Sequence, residues 1–419
     1  MLRSNLLAPL GAREALTPLY AFLAPALRPA ALVFAVLATA TVVLGPRWVE
    51  PTRTPGWAFG ALLAASAGSL ALGLFLVRLP LEELGQNFDL YRHEEFWHDA
   101  LAIGSASDFL ARHVELLPTL STHGRHFPPG HALLLHAVVW LCGPSLLAAG
   151  ALVLAAASLG VVAAWQALRE VLDERASRQA ALLVAGAPAF LDFAATSMDA
   201  VFFLPASLAL WAGLRAGGPR GGVRAGALAG VALLLAAFLS WSALPLGLLL
   251  CLHASGARGR RAWPAVAAAG LTFASGALAL GLLAGWSILE AFPASLEHAR
   301  AFMADVRASR PRAEPWRAWL GNPLAFALGA GVPLVALAAC HAWRTGWPRE
   351  ACARAALITL AVMSALYDLE TERVWIFALP WLAAVGLASG ALAPGRLRLL
   401  LGLALLQALV LEALLFTLW

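Results

Sequence analysis

"WAFGALLAASAGSLALGLFLV", residues 57–77, runs for 21 positions without a charge or a proline. As a helix rising about 1.5 Å per residue it reaches roughly 30 Å, the thickness of a bilayer's hydrocarbon core. The rest of the chain has the same character: 61% of residues are hydrophobic, 13% are charged, and the mean hydropathy is +0.77. Those values exclude an ordinary soluble domain and fit a multi-pass membrane protein.

Further apolar runs long enough to cross lie at 29–44, 145–168, 179–195, 200–216, 263–285, 322–343, 353–367, 374–393 and 399–418. The stretch 225–254 is interrupted by Ser240, Trp241, Ser242 and Pro245 and has arginines at both ends (Arg220, Arg224; Arg258, Arg260, Arg261). It therefore reads as a tight hairpin of two short helices. The expected fold is an all-α transmembrane bundle of about twelve spans, with residues 1–419 as a single integral membrane domain. No repeat or low-complexity linker divides it.

All 29 basic side chains are arginine, which with the alanine and glycine load suggests a GC-rich, bacterial genome. About half of them gather in the short loops 169–178, 215–224, 258–261, 344–354 and 396–398, which the positive-inside rule places in the cytoplasm. The formal charge of +5 thus orients helices and does not imply nucleic acid. By alternation 79–130, 197–199, 286–320 and 368–373 fall on the outer face of the cell (inner) membrane. This parity requires the short apolar piece 131–141 to dip into the membrane without crossing. Arg3 and Arg13 flank a broken apolar stretch with no clear cleavage site, so no removed signal peptide is expected. Cys142, Cys251, Cys340 and Cys352 lack CxxC spacing and suggest neither disulfides nor a thiolate metal site.

Chemistry concentrates in the first outer loop, 79–130, which with its edge holds seven of the ten histidines and eight of the 24 acids. Its aromatics, among them Phe88, Tyr91, Phe96, Trp97, Phe109 and Phe127, suit helices lying at the membrane interface. A long solvated loop is polar in any case, which is the bland account of each residue taken singly. Within it "HEEFWH", 93–98, nearly spells the H-E-x-x-H of a metalloprotease. His93 and His98 are five apart, however, and on a helix such positions diverge by roughly 140°, so they cannot share a zinc ion.

The loop continues through "SASDFLARHVELL" to "STHGRHFPPGHALLLH", where Pro128 and Pro129 force an extended turn and Gly130 permits close approach as the chain re-enters the membrane. An outer loop with a paired-acid helix followed by a His-Pro-Pro-Gly-like re-entry resembles the GT-C glycosyltransferases, among them protein O-mannosyltransferases and aminoarabinose transferases. The resemblance implies a sugar moved from a polyprenyl-phosphate donor to a glycan, lipid or protein acceptor, within membrane lipid. It implies Glu94 and Glu95 as the catalytic pair, although that family usually carries Asp-Glu, so Asp89 and Asp99 stay open as alternatives. Asp199 in "TSMDA" matches a further family acid. His126 or His131 matches the histidine of the turn, and with Asp89 they are candidate substrate-binding residues.

A second polar island, "YDLETERVWIF" at 367–377, sets Glu372, Arg373 and Trp375 at an outer rim. There a planar guanidinium can take a lipid-linked phosphate in two hydrogen bonds; the alternative is plain interfacial anchoring. Arg300, Arg307, Arg310, Arg312 and Arg317 in the second outer loop, 286–320, read as solvated. No dense ligand motif demands a metal, though a divalent cation (Mg or Mn) could share the phosphate work with carboxylates. A transporter or lipid-handling protein is the runner-up. Its charges should lie near mid-membrane in paired halves, whereas these gather in outer loops. A non-catalytic scaffold is a further alternative.

Overall fold

The computed structural model of the chain describes residues 21–89, 96–218, 221–309, 315–345 and 375–417. Its helices in chain order are α1 (Ala31–Trp48), α2 (Gly56–Arg78), α3 (Trp97–Ala102), α4 (Ala106–Ala111), α5 (His113–Leu116), α6 (Thr122–His126), α7 (Gly130–Cys142), α8 (Leu146–Leu168), α9 (Glu174–Ala185) and α10 (Pro188–Phe193). They continue as α11 (Asp199–Gly217), α12 (Val223–Leu239), α13 (Ala243–Arg258), α14 (Trp263–Ala284), α15 (Ile288–Ser309), α16 (Pro315–Ala330), α17 (Val332–Thr345), α18 (Leu379–Gly386) and α19 (Pro394–Leu414). Among the described residues the only strands are β1 (Ala21–Leu23) and β2 (Leu415–Thr417), an antiparallel pair in which Phe22 faces Phe416. The fold is all-α.

Among the described residues six helices, α1, α2, α8, α11, α14 and α19, are long and apolar enough to cross a membrane. Several of the other expected spans among the described residues are broken or short. The run 179–195 divides because Pro188 removes an amide donor and holds Ala187 extended (φ −68°, ψ 134°). The run 322–343 bends by 108° between residues 330 and 332, where Gly331 takes φ +92° and Pro333 follows. Hydrocarbon offers no water to the backbone groups freed there, so the protein must satisfy them. The Gln407 amide of α19 does so, accepting from Val332 N (2.9 Å) and donating to Leu328 O (2.8 Å). Of 374–393, residues 376–386 form a shorter apolar helix, and the run 353–367 lies outside the described residues. The expected hairpin at 225–254 is present as α12 and α13, and α7, at 13 residues, reaches only about 20 Å and cannot cross.

The centre of the bundle is α2, α8 and α11 side by side, with α1 on α2 and α12 between α11 and α14. Phe34, Phe59, Phe190, Phe202 and Phe203 are wholly enclosed there. At the lipid edge α14 leaves Leu271, Leu278, Leu282 and Leu283 bare, which costs nothing where the solvent is as apolar as leucine. One end of the bundle carries the arginine loops. Arg178 is buried there, bonded to Glu174 (2.7 Å) and the Thr54 carbonyl (2.7 Å) and stacked 5.0 Å from the Phe59 ring. The other end carries the candidate site.

Candidate functional site

The site end is built by the short helices α3 to α6, which cover the start of α7 and are themselves covered by α15. Leu84 reaches Phe75 at the end of α2 and Ala195 in the turn before α11, so the first loop and that turn share this end of the bundle. Close approach matters at the re-entry, because a Cβ at Gly130 would collide with the Phe238 carbonyl of α12.

Three kinds of contact seat residues 96–100 on residues 121–136. The Phe96 ring stands edge-on to His131 (4.8 Å between centroids) and Phe127 (5.7 Å), with His123 at 6.0 Å. His136 Nδ1 lies 3.0 Å from the Ala100 carbonyl. The buried Asp99 carboxylate accepts from Ser121 N (2.8 Å) and Ser121 Oγ (2.6 Å). Glu94 and Glu95, the expected catalytic pair, lie just outside the described residues, as does His93.

Asp89 ends a 3-10 turn and pairs with His98 at 3.2 Å, both side chains about half exposed. His126 closes α6 with its ring 5.3 Å from Phe302 of α15, bridging the two loops. Burial, then the His298 and Arg125 charges, hold its imidazole down at about 4, so it is neutral at pH 7. Burial alone does the same to His113, also about 4, whose ring nitrogens have no hydrogen-bond partner among the described residues.

Asp199 opens α11 and is buried, its backbone amide on Ser197 Oγ (3.2 Å) and its Oδ2 3.3 Å from the same oxygen. A carboxylate there also gains from the helix dipole. Trp375 is fully enclosed against Phe326 (5.6 Å), and two residues on, Phe377 meets Phe202, one turn along α11 from Asp199. The structure thus brings the chain that follows Glu372 and Arg373 to the Asp199 end of α11. Glu372 and Arg373 themselves lie outside the described residues. The His131–Phe96 cluster and the Asp199–Phe202–Phe377 group are separate sets of contacts on the same end. Among the described residues no group of three or more His, Cys, Asp or Glu side chains is disposed to hold a metal ion.

Sequence reasoning missed a buried charge cluster beside this site. The Arg78 guanidinium, 9% exposed, lies 3.4 Å from Glu412 Oε1 and donates to the carbonyls of Ala24, Glu412 and Leu415. Glu412 in turn lies beside Asp192 of α10. The available signal was a lone acid inside each of two apolar runs, which is tolerated only when partnered.

Neither a family model nor a curated protein matches the chain. Among solved structures it is similar to ArnT from Cupriavidus metallidurans bound to undecaprenyl phosphate, with 17% identity and a TM-score of 0.41. The match covers 72% of this chain and 59% of that one. A likeness at that level does not fix a family.

Proposed function

We propose that the protein is an integral membrane glycosyltransferase of the bacterial inner membrane, moving a sugar from a polyprenyl-phosphate donor to an acceptor hydroxyl at the outer face. The acceptor oxygen attacks the anomeric carbon, and the bond from that carbon to the phosphate oxygen breaks. The electron pair leaves as polyprenyl phosphate, and the acceptor's proton passes to a carboxylate. Because the phosphate is already a good leaving group, the protein has mainly to remove a proton and stabilise an anion. Glu94 or Glu95 takes the proton, Asp199 supports the same end, and Arg373 holds the phosphate. The observation that supports this reading is the seating of Phe96 to Ala100 on the His123–His136 segment at the end of the bundle opposite the arginine loops. The chain leaving the acidic pair is thereby seated beside His131 at that end of the bundle.

The test is release of polyprenyl phosphate from a panel of polyprenyl-phosphate hexoses and pentoses by purified protein. The parent should turn over at least one donor, and Glu94→Gln or Glu95→Gln should slow it about a hundredfold, the usual worth of a general base. No turnover of any donor would refute the reading, and parent rates in both variants would move the base to Asp89, Asp99 or Asp199. A transporter gains one observation, the 108° break at Gly331, since transporters place binding sites at broken helices. It predicts instead that intact donor crosses proteoliposome membranes without releasing polyprenyl phosphate.

A further inference from the structure

Asp99 has the burial expected of a functional carboxylate, and each of its two oxygens accepts a hydrogen bond from Ser121, one from the amide (2.8 Å) and one from the hydroxyl (2.6 Å). The Ser121 oxygen then accepts from Gly124 N (3.0 Å), capping the first turn of α6. A side chain at Gly124 would strike Asp99 Oδ2, so the helix end and the carboxylate are built for each other. From this clasp the chain runs in five residues to His126 and in ten to His131, the latter wholly buried beneath Phe96. The clasp is the polar half of a joint whose apolar half is the Phe96–Phe127–His131 ring cluster.

We infer that Asp99 is a positioning residue of the proposed transferase, holding α6 and the His123–His131 segment at the site through Ser121. Its carboxylate does not itself act on substrate. The kinetic consequence rests on the proposed reaction, whereas the clasp does not.

The chemistry of the amide separates positioning from catalysis. Asn at position 99 still accepts from the Ser121 amide and can donate to the Ser121 oxygen, so it keeps the joint but cannot take a proton. Asp99→Asn, Asp99→Ala and Ser121→Ala, each in the full-length protein, are compared on the donor the parent uses fastest and by amide hydrogen exchange over 121–131. Asp99→Ala should raise the donor KM about tenfold or more, the worth of a charged hydrogen-bond pair, with a smaller change in kcat. Ser121→Ala should follow it more weakly, because the backbone bond survives. Asp99→Asn should stay within about threefold of the parent with an unchanged pH profile, since only a charge is lost. Exchange over 121–131 should quicken in Asp99→Ala and not in Asp99→Asn, with α2 and α8 unaffected. Equal loss in Asp99→Asn and Asp99→Ala would make Asp99 the base and overturn the inference. Unchanged exchange in Asp99→Ala would overturn it as well, even if the parent turns over no donor, an outcome that by itself counts only against the proposed reaction.

Discussion

Replacing Arg78 by alanine should destabilise the bundle more than any exposed arginine could. The substitution removes donors to Ala24 O (3.0 Å), Glu412 O (3.2 and 2.6 Å) and Leu415 O (2.8 Å). It also leaves the Glu412 side chain, 11% exposed, without the guanidinium 3.4 Å away. Breaking a buried pair from one side costs about 3–5 kcal/mol, most of it the penalty on the charge left behind. In a chain of this length such a loss lowers Tm by about 5 °C. The same carbonyls belong to residues in or next to β1 and β2, so the chain segments around Ala24 and Leu415 should loosen together. Thermal unfolding in detergent, followed by intrinsic tryptophan fluorescence, measures the shift. Adding Glu412→Gln to Arg78→Ala takes one of the two clustered carboxyls out of the pocket while keeping a hydrogen-bonding group for Asp192, and should recover about half of the loss. A melt within about 1 °C of the parent for Arg78→Ala, less than one kcal/mol would give, refutes the ledger. So does a second substitution that deepens the loss.

Burial holds His113 down at about 4 against an ordinary 6.5, so the folded state binds fewer protons than the unfolded one between those values. Its contribution to stability is complete above pH 6.5 and is lost as pH falls towards 4. His113→Phe, packing against Phe109 as the imidazole does at 5.8 Å, should therefore show a shallower fall of Tm from pH 7.5 to 4.5 and no loss at pH 7.5; superimposable profiles would rule this out. For the phosphate role given to Arg373, Arg373→Lys should weaken donor use less than Arg373→Ala, because lysine keeps the charge and loses the two-pronged geometry. Both should spare the acceptor's apparent affinity, and donor titrations equal to the parent for Arg373→Lys would reduce the residue to an interfacial anchor.

The helical class was legible because lipid leaves a spanning segment almost no alternative: a run such as 57–77 has to satisfy its backbone internally. Where the runs would break was less legible. Pro188 announced its break through its missing donor, but the bend at Gly331 is stabilised by Gln407, whose partner Val332 lies 75 positions away, and no local pattern carries that pairing. The site divides the same way. The loop's His and acid content marked 79–130 as the chemical face, yet nothing in the spacing of Asp99 and Ser121, 22 residues apart, distinguishes a clasp from a base. Only the fold shows that both oxygens of Asp99 are engaged. Arg78 and Glu412, separated by 334 positions, are the extreme case, though a weaker inference was open there. Asp192 and Glu412 are solitary acids in separate apolar runs, and an isolated carboxylate in hydrocarbon is expensive enough that each must find a cation or share a proton. An arginine closing a neighbouring span, as Arg78 closes 57–77, is the cation such acids require. Unpartnered charges inside apolar runs thus constrain tertiary pairing even where helical periodicity is silent.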